Sequence, residues 1–402
     1  MKLIPFSSQY LNLDEPLPFG LRGPTGRLLL AAGQKVPGIG RLEELKRQLL
    51  FADESEAADW HRRLAAAMDV ALRKNSSLKT VVAARPEPIT PRDAVAPPSQ
   101  AWPEHWHELV TQLDSALRDV GVGGEWRARL LAVHARARQL FQRRPDASLY
   151  CQVFEAISST RRYSCQHALL VMCLCEDAAA LLGWPADWID SLGRAALAMN
   201  VAMLRLQDQI AASPLRPTPA MLAEIKAHPG AGADLLEAAG LDDALCLDVV
   251  RMHHLDGDAS HKLVDQPAAT QLARLLRRVD VFSAKISLRA GRTPMSPVQA
   301  AREACLVAEG RPDEIGGALL KAVGLYPPGC FVELVGGEQA IVLARGRVAN
   351  QPTVATLVAP SGMPLGVPAL RDTADRRYAI KTALPSAAVK IRPAHERLLA
   401  MR

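Results

Sequence analysis

Three histidines and one carboxylate, in a single ordered series, are the residues of this chain best suited to chemistry. His228 stands in IKAHPGAGADLL (225–236), His253 and His254 in RMHHLDGD (251–258), and Asp280 in RRVDVFSAKISLRAGR (277–292). Imidazole nitrogens and carboxylate oxygens are the usual protein ligands of transition metals that activate water. One histidine alone says little. Four such groups along one stretch of the chain point to a metal centre.

Each piece must be carried by a helix. Neighbouring residues on a helix point about 100° apart, so His253 and His254 can face one centre only where the helix ends or turns. The LDGD text after His254 predicts that ending. Almost everything from 104 to 323 reads as helix: 104–120, 124–143, 147–182 with a break near Ser158-Ser159, 185–200, 218–237, 242–255, 266–290, 295–309 and 312–323. Pro185, Pro219 after Thr218, and Pro312 are helix-start signals.

Read together with His167 in YSCQHALLV, the series resembles the HD-GYP branch of the HD-domain phosphohydrolases. Those are bacterial helical proteins with a bi- or trinuclear metal centre that hydrolyse cyclic di-GMP. The phrase GLYPPGCFVELVGGEQAIV at 324–342 is similar to text that follows such domains, and the resemblance covers about 160–345. It implies His167, His228, His253, His254 and Asp280 as metal ligands. It also places Lys285, Arg289 and Arg292 near the segment that touches the nucleotide; a solvated helix face is the alternative for these cations.

The departures from the family pattern weigh as much as the matches. The His-Asp doublet reads Met199-Asn200 here, within AALAMNVAML. The family's carboxylate bridges two metal ions and offsets their repulsion; an Asn amide is neutral, and a Met thioether suits soft Cu(I) rather than Mn, Fe or Mg. Met203 stands where a phosphate-binding Lys is often found, and Tyr163 where an acidic residue often precedes the first His. After LDGD comes ASHKL, so the Gly-Tyr-Pro motif is absent.

Composition sets the frame. The chain has 402 residues, 49% hydrophobic but only 4% aromatic, and is rich in Ala and Leu, which favours packed helices. A small α+β N-terminal module (1–74) reads as short strands over 16–36 and helices at 40–51 and 54–74. A Pro-rich linker follows at 75–103, then the helical HD-GYP-like domain (104–325) and a β-rich C-terminal appendage (326–402). The fold class is therefore mainly α: a helical HD-domain bundle with small appendages at both ends. The seven cysteines show no paired spacing, so they read as buried small hydrophobes rather than a disulfide framework. The net charge of +6 suits an anionic ligand, but it is dispersed and implies no DNA partner. No apolar run reaches about 18 residues, and the N-terminus lacks a signal peptide, so a cytoplasmic protein with no membrane partner is expected.

Three functions remain open on sequence. The leading one is a degenerate regulatory protein of cyclic di-GMP signalling that binds cyclic di-GMP or a signalling partner protein without hydrolysing it. The second is a metal-dependent phosphodiesterase with a rearranged, mononuclear site on the retained histidines. The third is an interaction scaffold with no nucleotide ligand. The cofactor is one divalent transition metal (Fe, Mn, Zn or Ni) or none, and a homodimer is compatible with all three.

Overall fold

A computed structural model describes residues 102–401 apart from 123–124, 256–261 and 307–309, and, before them, 3–6, 8, 11, 13, 17, 19–24, 28–30, 34–36, 38–54 and 56–57. The linker and most of the helix expected over 54–74 lie outside the described residues. The chain divides into two compact units, Met1–Ser99 and Gln100–Arg402.

The first unit is a four-stranded antiparallel sheet with one described helix over 39–46. Strands β1 (Leu3–Phe6), β2 (Leu21–Arg22), β3 (Leu28–Leu30) and β4 (Leu50–Asp53) lie in the order β1-β4-β2-β3, and helix α1 (Ile39–Lys46) connects β3 to β4. Leu21, Leu45 and Leu50 meet in its small core. Here the structure corrects the expected helix over 40–51. The helix stops at Lys46, Leu49 is exposed, and Leu50 is a strand residue paired to Phe6. Strand pairing in β4 overrides the helical spacing of Leu42, Leu45, Leu49 and Leu50.

The second unit is the helical bundle. Its helices are α2 (Trp102–Arg118), α3 (Trp126–Arg143), α4 (Pro145–Ser158), α5 (Tyr163–Leu181), α6 (Ala186–Ala198), α7 (Leu204–Ala212), α8 (Pro219–Ala238), α9 (Ala244–Met252), α10 (Ala268–Ile286), α11 (Pro297–Cys305) and α12 (Glu314–Val323). Helix α5 is the axis: Cys165 through Cys175 are buried without a break. A helix that is apolar all round must lie inside a bundle, and α4, α6, α10 and α12 all pack on this one. Its cysteines are core groups; burial pushes the Cys165 thiol up to about 12, which keeps it protonated and inert. Among the described residues no helix is long and apolar enough to cross a membrane.

Caps follow the sequence signals. Thr218 accepts from the Met221 amide at 3.3 Å with Pro219 opening α8, and Asp243 and Asp313 accept from the Cys246 and Gly316 amides at 3.0 and 2.8 Å. Helix α7 was not expected from sequence. It turns Leu204, Leu206 and Ala211 into the core and Arg205 outward.

The chain ends in a five-stranded antiparallel sheet of order β8-β7-β6-β5-β9 and a short helix, α13 (His395–Leu399). The strands are β5 (Phe331–Leu334), β6 (Gln339–Ala344), β7 (Thr353–Val358), β8 (Pro364–Asp372) and β9 (Ile380–Leu384). Phe331, Ile341, Val342 and Val354 share one core with the helices. Arg345, just after β6, fixes the sheet to the bundle. It donates to Asp146 of α4 at 2.7 Å, to Asp177 of α5 at 2.5 Å and to the Ala322 carbonyl of α12 at 2.6 Å.

Candidate metal centre

The site begins with a proline. Pro229 lies inside α8, and proline has no N–H. The carbonyl four residues earlier, on Ile225, therefore loses its helical donor. The imidazole of His228 fills that place: its Nδ1 lies 2.6 Å from the Ile225 oxygen. The second histidine is held in an equivalent way. Helix α9 ends at Met252, so the carbonyl of Val250 belongs to the last turn, whose acceptors lack helical partners. The Nδ1 of His253 lies 2.6 Å from that oxygen.

A carbonyl oxygen only accepts, so both Nδ1 atoms carry the hydrogen. Each neutral ring then presents a bare lone pair at Nε2. The two Nε2 atoms face one another at 3.1 Å, with both side chains buried. Two lone pairs so placed repel unless a cation sits with them. Burial drives the His228 imidazolium down to about 4 and the His253 imidazolium down to about 3, with the neighbouring His254 acting in the same direction. Both rings are thus neutral near pH 7, which is the ligand form.

The helix end expected from the LDGD text after His254 falls earlier, at Met252. His253 and His254 lie in the turn beyond Met252, and the Leu255 amide closes it on the Met252 carbonyl at 2.8 Å. The ring of His254 stands 4.4 Å from that of His253 and 4.9 Å from that of His228. One ligand atom from each of the three lies within 4.8 Å of the others. Asp256 to Asp258 lie outside the described residues.

His167 and Asp280 form a second piece of the site. His167 on α5 and Asp280 on α10 bond to each other at 2.7 Å. Burial alone would raise the Asp280 carboxyl; the bond and charge of His167, then the charges of His253 and His254, outweigh it and hold it below the usual carboxylate range. That coupling brings Asp280 within electrostatic reach of the three histidines.

The doublet position is close by and neutral. Met199, wholly buried, ends α6; Asn200 opens a single 3-10 turn, Val201–Met203. Gly232 of α8 faces it: a Cβ there would be in ordinary contact with the Met199 carbonyl at 3.7 Å and with Val201 at 3.5 Å. The helix carrying His228 is packed against the residues that replace the doublet. Among the described residues Met199 and Asn200 place no carboxylate there.

Tyr163 carries a role not visible in the sequence. Its ring lies parallel to His167, 5.6 Å away at 8°. Its hydroxyl accepts from Nε and Nη2 of Arg289 at 3.1 and 2.7 Å, with the guanidinium 5.0 Å over the ring. The only signal was its place one helical turn before His167, where two side chains share a face. Of the cations expected near a nucleotide, Lys285 pairs with Glu303, and Arg292 donates to the Ala284 carbonyl. Among the described residues neither Arg289 nor Arg292 has a carboxylate partner. Burial, then the adjacent charge of Arg289, lowers the Arg292 guanidinium.

A helical bundle with a cluster of three histidines at its centre is the class that this fold and site define. No protein-family model matches the chain. Over 201 residues it is 27% identical to a Pseudomonas aeruginosa protein named cyclic di-GMP phosphodiesterase PA4108, the match covering 49% of each chain. This chain therefore spans about half the length of that relative. A solved structure described as Bd1817, an HDG"Y"P protein from Bdellovibrio bacteriovorus, matches over 80% of this chain and 99% of its own at 14% identity, with a TM-score of 0.43. Met199-Asn200 stands in this chain where the HD-GYP-type proteins that it resembles have their His-Asp doublet.

Proposed function

We propose that this protein serves cyclic di-GMP signalling in the cytoplasm by binding the dinucleotide without hydrolysing it. One observation carries this reading: the position of the bridging carboxylate is taken by buried, neutral Met199 and Asn200. Hydrolysis by paired metals requires a bridged water held between two cations and clamps on the phosphate oxygens. Without the bridging anion, two divalent ions would repel each other across the site.

The residues present fit one metal ion. His228, His253 and His254 would hold it, and an all-nitrogen set suits Zn, Fe or Ni. Bound there, it would supply Lewis acidity toward a phosphate oxygen. Arg289 and Arg292, which lack carboxylate partners among the described residues, supply positive charge for the second phosphate. Asp280 and His167 are committed to one another and act as a positioning pair.

The locked Nε2 atoms of His228 and His253 favour a second reading, a phosphodiesterase working with one metal. Restoring the doublet separates the two. Under the first reading wild-type protein with Mn, Fe or Mg releases no linear dinucleotide, and Met199→His with Asn200→Asp creates or begins to create that activity. Metal-dependent turnover by the wild type, lost on changing His253 and His254 to Ala, would establish the second reading instead.

A further inference from the structure

Away from the histidine cluster, an aromatic cleft opens between α2, α4 and α13. Its cavity volume is about 40 Å³, and it is partly open to solvent. Its walls include Trp106 of α2, Tyr150 and Phe154 of α4, and His395 of α13. Trp106 and Tyr150 are almost wholly buried, so their rings are fixed. The Tyr150 hydroxyl meets His395 Nδ1 at 2.9 Å, and the His395 ring lies 4.4 Å from Phe154. The cleft is thus built from rings held by one another rather than by chance exposure.

Its charge is unusual for this chain. In a protein of net charge +6, no Lys or Arg lines the cleft, and its single carboxylate is Glu155. Among the described residues the Glu155 carboxylate is bonded to His107 alone, at 3.2 Å, a side chain 57% exposed at the rim. No permanent cation neutralises it there. Aromatic faces beside a carboxylate attract cations, and the attraction grows where water is excluded. A bare ammonium would need an acceptor for each N–H. Beyond the Glu155 carboxylate and the Gln166 side chain the cleft offers few, because the Tyr150 hydroxyl is engaged with His395 and most of the other walls are rings. A methylated nitrogen has no such need.

We propose that the cleft formed by Trp106, Tyr150, Phe154 and Glu155 binds a quaternary or fully methylated ammonium group. It shares no residue with the histidine cluster, and the proposal stands or falls independently of nucleotide binding. The test is calorimetric titration of the full chain with choline, and with 3,3-dimethylbutan-1-ol, its uncharged isostere. Choline is expected to bind at least about tenfold more tightly than the isostere. Glu155→Gln, a half-buried substitution at the rim, is expected to weaken choline by about tenfold and leave the isostere unchanged. Phe154→Leu should weaken choline more than the isostere, with the melting temperature checking that both variants fold. Absence of choline binding at millimolar concentration, equal affinity for the two probes, or an unaltered choline affinity in folded Glu155→Gln would each overturn the proposal.

Discussion

The Nε2 atoms of His228 and His253 face each other at 3.1 Å because each ring has given its Nδ1 hydrogen to a backbone carbonyl of its own helix. For His228 that carbonyl is free only because Pro229 cannot donate to it. Pro229→Ala would return an N–H to the Ile225 oxygen and compete with the imidazole. Groups that orient a metal-bound histidine are worth about 10–100-fold in affinity, so Zn(II) or Co(II) binding should weaken by that order. The helix itself should become no less stable. Unchanged metal affinity in this variant would show that the proline does not set the ring.

The same burial makes stability depend on pH. His228 and His253 ionise near 4 and 3 in the folded chain, against an ordinary value of 6.5. Between these values the unfolded chain binds more protons, so stability is full above 6.5 and falls as the pH drops toward 4. At pH 5 the loss is about 2 kcal/mol for each ring. Melting in the presence of chelator should therefore show a marked fall in Tm from pH 7 to pH 5. A variant with Gln at both positions should show a flatter profile; an equally steep one would locate the dependence elsewhere.

Much of the helical scaffold can be read from apolar spacing and caps, as at Thr218-Pro219, and the grouping of His228, His253 and His254 from their order along the chain. What escaped has physical reasons. Leu50 continues the helical spacing of Leu42 and Leu45 but is claimed by strand pairing with Phe6. Helix α7 is short, and its Leu204 and Leu206 find their partners only in the assembled bundle. Tyr163 looked like the loss of an acidic residue; its stacking on His167 and its bond to Arg289, 126 residues away, are tertiary facts. The 100° rule foresaw a helix end at His253-His254, but not that the orphan carbonyls there would choose the tautomers.

Tyr163→Phe keeps the ring beside His167 and removes the oxygen that Arg289 meets. The loss of these bonds should lower stability by about 1–2 kcal/mol. The freed guanidinium should leave cyclic di-GMP affinity equal or higher. Arg289→Ala, by contrast, should weaken the dinucleotide by about tenfold. A parallel loss of affinity in both variants would mean that the tyrosine itself contacts the ligand.

A buried polar network outside the site tests the packing. Glu176 of α5 accepts from Arg138 at 2.8 and 2.9 Å and meets His134 at 2.7 Å, while Arg138 also pairs with Asp190. Gly193 of α6 lies against this network, and an added Cβ would collide with Glu176 and His134. Displacing a buried, paired carboxylate is among the larger single-residue effects, so Gly193→Ala should destabilise by about 2–4 kcal/mol. Denaturant melts would read this directly, and a loss below about 0.5 kcal/mol would mean that the network relaxes freely.

The most direct measurement follows cyclic di-GMP in one sample with the protein and Mn(II), reading binding by equilibrium dialysis and the nucleotide's fate by chromatography. The account predicts saturable binding, weakened when His253 and His254 are changed to Ala, with the dinucleotide recovered intact. Linear dinucleotide or GMP accumulating at a rate that disappears in that double variant would contradict it.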